Sequence, residues 1–121
     1  MNRQLPILLI LVFTQVAGCT ATPGVTDQQT ADRPTNLELQ VEQFQQAKDL
    51  YLQQQYQQAA ALFLALAQQG HLDSQYVTGY MYHYGYGLPR NEREALHWIS
   101  IAAARGHARA QQALQMLEGE P

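Results

Sequence analysis

The chain of 121 residues contains a single cysteine, Cys19, so no disulfide can form within one molecule. Hydroxyl nucleophiles are scarce too. The only serines, Ser74 and Ser100, lie outside any Gly-x-Ser-x-Gly or Ser-x-x-Lys pattern, and no nucleophile–base arrangement for hydrolysis is visible. Bases are outnumbered, with seven Lys and Arg against ten Asp and Glu, giving a formal net charge of −3. That balance argues against nucleic acid as a partner and against holding an anionic membrane by charge. Long apolar runs are missing at the N-terminus, where Leu5 to Phe13 spans nine residues and includes Pro6. This is far short of the roughly 20 residues a membrane-crossing helix needs.

A short apolar run behind Arg3 has the proportions of a signal-peptide core. It leads into Val16-Ala17-Gly18-Cys19, which resembles the lipobox of bacterial lipoproteins. The resemblance implies a lipoprotein signal peptide over 1–18 and a lipid such as palmitate carried covalently by Cys19, with no other cofactor. Thr20 stands where retention at the inner membrane would show aspartate, so the implied place is the outer membrane, facing the periplasm. Residues 19–36 then read as the lipidated cysteine and a flexible linker. From Thr20 to Asn36 the sole large apolar residue is Val25, too little to bury. A coil of this length reaches a root-mean-square distance of about 20–25 Å.

What the rest of the chain has is repetition. Gly70-His71 recurs as Gly106-His107, and a shift of 36 sets Ala59 on Ala95, Leu62 on Trp98, Phe63 on Ile99, Ala67 on Ala103 and Gln75 on Gln111. Matching positions at such a period mark stacked helix-turn-helix units. Thr35 or Asn36, with Glu38 behind, opens a first helix from about Leu37 to about Gln53. A second ends at Gly70 and a third near Gly85, where Gly85-Tyr86-Gly87-Leu88-Pro89 forces a loop. Asn91 caps a fourth from Glu92 to Arg105, and a fifth runs from about His107 to Leu117 with Ala110, Ala113, Leu114 and Leu117 on one side.

Gln75-Tyr76, Gly79, Met81-Tyr82, Gly85, Gly87-Leu88-Pro89, Ala95, Trp98, Ala102-Ala103 and Gly106 together resemble a Sel1-like repeat. The first unit is similar to a tetratricopeptide repeat, with Phe44 matching Tyr76 and Ala47 matching Gly79. Thr78, Ser74 and Asn91 depart from the family's usual leucine, alanine and aspartate. The resemblance implies an all-α fold over 37–121: a short α-solenoid of antiparallel helix pairs, about two repeats plus a C-terminal capping helix. Gly79, Tyr82, Gly85, Gly87, Ala95, Trp98, Ala103 and Gly106 are the structural repeat positions. So few units imply marginal stability, or support from a second copy or a partner.

In that alignment Tyr76, Tyr80, His83 and Tyr84 form one stripe of the third helix facing a groove, with Tyr80, His83 and Tyr84 the binding candidates. Lys48 and Tyr51 occupy the stripe in the first helix, and Arg109 and Met116 in the last. Arg90, Arg93, Arg105 and Arg109 form a basic edge as a second candidate surface. Glu94 and His97 make one Glu-x-x-His half-site, but the second half of a helical di-metal site is missing, so no metal is expected. The expectation is a non-enzymatic envelope scaffold that holds a protein segment, with self-association possible. The alternatives are a pilotin-like assembly factor, a toxin-immunity lipoprotein, or a weak peptidoglycan-binding or hydrolytic protein.

Overall fold

The structure, a computed structural model, describes residues 33–119. The expected signal segment over 1–18, Cys19 and the linker as far as residue 32 lie outside the described residues. Five helices follow one another: α1 (Asn36–Leu52), α2 (Tyr56–Gln68), α3 (Leu72–Tyr84), α4 (Glu92–Ala104) and α5 (Ala108–Gly119). Each packs against its neighbours in sequence, and the α3–α4 interface is the most extensive. This is the short all-α solenoid of helix pairs that the repeat pattern implies.

Local chemistry explains the boundaries. Thr35 rather than Asn36 is the N-cap of α1. The Glu38 amide donates to Thr35 Oγ1 at 3.3 Å and the Thr35 amide donates to Glu38 Oε2 at 2.7 Å, a complete capping box. Asn91 Oδ1 accepts from the Arg93 and Glu94 amides and starts α4. Gly85, at φ 73°, closes α3 in the left-handed conformation. The turn from α1 to α2 lacks that convenience, because Gln54 takes φ 64° there with a side chain attached.

Alanine sets the spacing of the helices and a few large side chains fill what remains. One cluster gathers Ala47, Ala59, Ala60, Phe63 and Met81, and a second gathers Ile99, Ala102, Ala103 and Ala110. Small residues bring the backbones close at the α3–α4 crossing. A Cβ on Gly79 would lie 2.6 Å from Ile99 Cγ1 and 3.0 Å from the Ala95 carbonyl oxygen. Gly87 makes the other close approach, with its backbone against the Tyr56 carbonyl, where any Cβ would collide. The α3–α4 loop is thereby seated on the start of α2.

Three polar residues are buried in α3: Ser74, Gln75 and Thr78. Ser74 Oγ lies 2.8 Å from His71 Nδ1, and Gln75 Nε2 donates to the Ala67 carbonyl at 3.3 Å. Among the described residues, Thr78 Oγ1 and Trp98 Nε1 are buried without a partner. The departures at Ser74 and Thr78 therefore have different outcomes, one satisfied by the preceding histidine and one left open.

Candidate binding groove

The odd-numbered helices α1, α3 and α5 supply most of the residues of a groove containing three adjoining clefts, with Phe63 of α2, Ile99 of α4 and Arg90 of the α3–α4 loop among the others. The first, about 320 Å³, is lined by Lys48, Tyr51, Leu52, Phe63, Tyr76, Val77, Tyr80 and Arg109. A second of about 380 Å³ continues past Tyr76 and Tyr80 to His83, Tyr84, Arg90, Ile99, Met116 and Leu117. A third of about 520 Å³ shares Lys48, Tyr76, Val77 and Arg109 and adds Phe44, Asp73 and His107. All seven groove candidates from the sequence line these clefts. Lys48, Tyr51, Tyr80 and Arg109 meet in the first, and Tyr80, His83, Tyr84 and Met116 in the second.

Their chemistry differs from residue to residue. Tyr80 and Tyr84 hold their rings 4.5 Å apart, and Tyr84 stacks on Tyr86 at 5.8 Å. Tyr86 also stacks on Tyr56 at 5.0 Å, and Tyr51 lies edge-on to Tyr56 at 5.1 Å. The result is a cluster of five tyrosines. Burial first, and then the neighbouring phenols, push the hydroxyls of Tyr51 and Tyr80 above the usual tyrosine range, so both stay neutral hydrogen-bonding groups near pH 7. Tyr56 and Tyr86 escaped the sequence reading because helical periodicity does not reach a loop residue or a residue at a helix start.

His83 is less available than its place in the stripe implies. Its Nδ1 lies 2.9 Å from Glu92 Oε2, and Arg90 donates through Nε and Nη2 to Glu92 Oε1 at 3.1 and 2.9 Å. These bonds, His83 first and Arg90 second, hold the Glu92 carboxyl below the usual carboxylate range. Glu92, which holds the cleft residues His83 and Arg90, was missed by the stripe argument because it belongs to the next helix. Lys48 Nζ sits 5.5 Å over the Phe44 ring, and among the described residues neither Lys48 nor Arg109 has an ion-pair partner.

The four arginines of the expected basic edge have separate tasks. Arg90 is tied to Glu92 in the second cleft, while Arg105 Nη1 donates to the Gly70 carbonyl at 2.6 Å and to Gln75 Oε1 at 2.9 Å. Arg109 lines the groove and Arg93 is exposed on α4. Of the structural repeat positions, Gly79, Ala95 and Ala103 are buried, Tyr82 and Trp98 are half-buried, and Gly85, Gly87 and Gly106 have positive φ. Among the described residues no group of three or more His, Cys, Asp or Glu could hold a metal ion, and no helix is long and apolar enough to cross a membrane.

Among curated proteins and among solved structures nothing matches this chain. The family model of the Sel1 repeat matches twice, over residues 44–71 and 72–107. The first unit, which resembles a tetratricopeptide repeat, thus falls within the same family as the second. With both helix pairs matched, the chain belongs to the family of Sel1 repeat proteins, whose repeats are generally protein–protein interaction modules.

Proposed function

We propose that this chain is a non-enzymatic, lipid-anchored envelope protein whose groove holds a segment of another envelope protein. One observation carries the binding part: the clefts join α1, α3 and α5 in a continuous aromatic lining around Tyr76 and Tyr80. Tyr84 and Met116 on its walls stay more than half exposed. Aromatic, Met and Arg side chains of this kind dominate interface centres, because they bury much area for little lost freedom. The anchoring part rests on the sequence around Cys19, and periplasmic placement follows from the same lipobox resemblance.

Two measurements test the parts separately. Envelope extract is passed over wild type and over Tyr80→Ala/Tyr84→Ala, each shown to be folded by circular dichroism. The double variant is expected to lose its partners about thirtyfold in affinity, the usual effect of removing a central aromatic anchor. Recovery of the same proteins at the same yield would refute the groove. Cys19→Ser is expected to abolish palmitate labelling and free the chain from membranes, and continued membrane attachment at an unchanged mature mass rules out the anchor.

A further inference from the structure

The stripe of α1 that enters the groove does not stop at the clefts. Leu37, Val41, Phe44, Lys48 and Tyr51 follow one another at steps of four, three, four and three, a seven-residue repeat along one face. Three residues of that face are strongly exposed: Leu37 at 69%, Val41 at 58% and Leu52 at 77%. With Tyr84 and Met116 on the other walls, they make up most of the large apolar residues that the described domain leaves in water. From Leu37 to Leu52 the stripe is about 22 Å long at 1.5 Å per residue.

Two features narrow the occupant. All three main walls are helical, with their backbone groups bonded within each helix, so there is no strand edge on which an extended peptide could add main-chain hydrogen bonds. A seven-residue stripe instead offers rows of holes to the side chains of a neighbouring helix. Charge supplies the second feature. The chain is acidic overall, at −3, but the unpaired charges of the first cleft are Lys48 and Arg109. Arg90 is paired with Glu92, and Asp73, which lies 3.1 Å from His107 Nε2, lines the third cleft and not the first, where Lys48 and Arg109 face no acidic residue.

We infer that the groove takes an amphipathic helix of a partner protein, with its apolar stripe laid along α1 and across Tyr80, and with acidic residues on its flanks facing Lys48 and Arg109. This rests on the groove reading above and adds the conformation and charge of the occupant. Complementary charge of this kind selects partners and speeds encounter more than it adds affinity, so the expected signature is preference and salt dependence.

The test uses the full chain in lipid nanodiscs and two designed helical peptides, each about three heptads long with leucine at the seam. One carries glutamate flanks and the other lysine flanks. Fluorescence anisotropy is expected to show the glutamate peptide bound about tenfold more tightly, with the preference shrinking in high salt and reversing on Lys48→Glu/Arg109→Glu. Val41→Glu should weaken both peptides. Equal binding of the two, or a preference that survives the charge swap, overturns the inference. So does wild-type self-association abolished by Val41→Glu, which would give the stripe to a second copy. If neither peptide binds while envelope capture still depends on Tyr80 and Tyr84, the acidic helix is wrong and the groove stands. If capture is also independent of them, both fail.

Discussion

The two Gly-His turns are built alike inside their own units and differently toward their neighbours. In each, glycine has φ 91°, and the histidine amide reaches back to the preceding helix, to Leu66 or Ala102, at 3.0 Å. Each histidine caps the next helix, His71 Nδ1 accepting from the Ser74 amide and His107 Nδ1 from the Ala110 amide, both at 3.2 Å. Gln75 and Gln111 then bond the Ala67 and Ala103 carbonyls.

Outward, the symmetry ends. The Gly70 carbonyl is held by Arg105 of the following unit, whereas among the described residues no side chain bonds the Gly106 carbonyl. His107 stacks on Tyr76 at 4.8 Å and reaches Asp73, while His71 meets Phe44 at 4.7 Å, and the position equivalent to Asp73 is occupied by Val41. The bonds within a unit are a property of the repeat, and those between units exist only where a neighbour supplies the group. That is the nearest-neighbour energetics expected of a solenoid.

The largest test of this division strikes the contact between helices. Gly79→Leu should cost about 3 kcal/mol, since a Cβ alone already collides with Ile99 and the Ala95 carbonyl. In a domain with so small a core this is a large share of the stability, so the melting temperature should fall by more than about 10 °C. Ala95→Leu, on the facing helix, should behave similarly. A wild-type melt for either variant would contradict the close crossing of α3 and α4.

Next in size is the effect of pH on the first turn. Burial, aided by Arg105 and opposed by Asp73, lowers the pKa of His71 below its ordinary 6.5, and the cap needs an unprotonated Nδ1. Its contribution is therefore fully present above pH 6.5 and is lost as pH falls through the lower folded-state value. His71→Asn retains a capping acceptor that does not titrate. Urea unfolding at pH 7 and pH 5 should show wild type losing more stability than His71→Asn, by up to about 1 kcal/mol, the typical worth of an N-cap. Equal losses would remove His71 as the titrating group.

Smaller effects separate the two turns further. Arg105→Ala removes the tie between units and should cost just under about 1 kcal/mol, because it loses an exposed bond to the Gly70 carbonyl and a part-buried one to Gln75. Hydrogen exchange should then speed up at the Gly70 turn and leave the Gly106 turn unchanged, and equal acceleration at both would argue against a local tie. At the α1–α2 turn, Gln54→Gly should raise stability by about 0.5 kcal/mol, as positive φ suits glycine and the gain is offset by its freedom when unfolded. A loss in that variant would show that the Gln54 side chain makes contacts worth more than its strain.

Much of the groove was legible because the two units share a register. Once Phe44 is set on Tyr76, helical spacing places Lys48 and Tyr51 beside Tyr80 and Arg109, as observed. Residues outside that register were not legible. Tyr86 lies in a loop, Tyr56 opens a helix, and Glu92 comes from the neighbouring element, yet Tyr86 and Tyr56 complete the aromatic cluster and Glu92 engages His83 and Arg90. The partners of Arg105 were not legible for a related reason. Closeness in sequence does not say which carbonyl or carboxylate each guanidinium will meet.

By itself the sequence determined the five helices of the described residues, the two Gly-His turns, the small residues at the crossings and membership of a repeat class. These follow from local rules: periodicity, capping, and the conformational freedom that only glycine has at positive φ. Only the tertiary structure decided which polar groups are satisfied and which charges stay free. Arg105 found the Gly70 carbonyl and Gln75, and His107 found Asp73, all far apart in sequence, while Thr78 found nothing and Lys48 and Arg109 were left to the groove. The reason is physical. Helix formation depends on residues a few positions apart, whereas satisfaction of a hydrogen bond or charge depends on atoms brought together from different helices across a few ångströms.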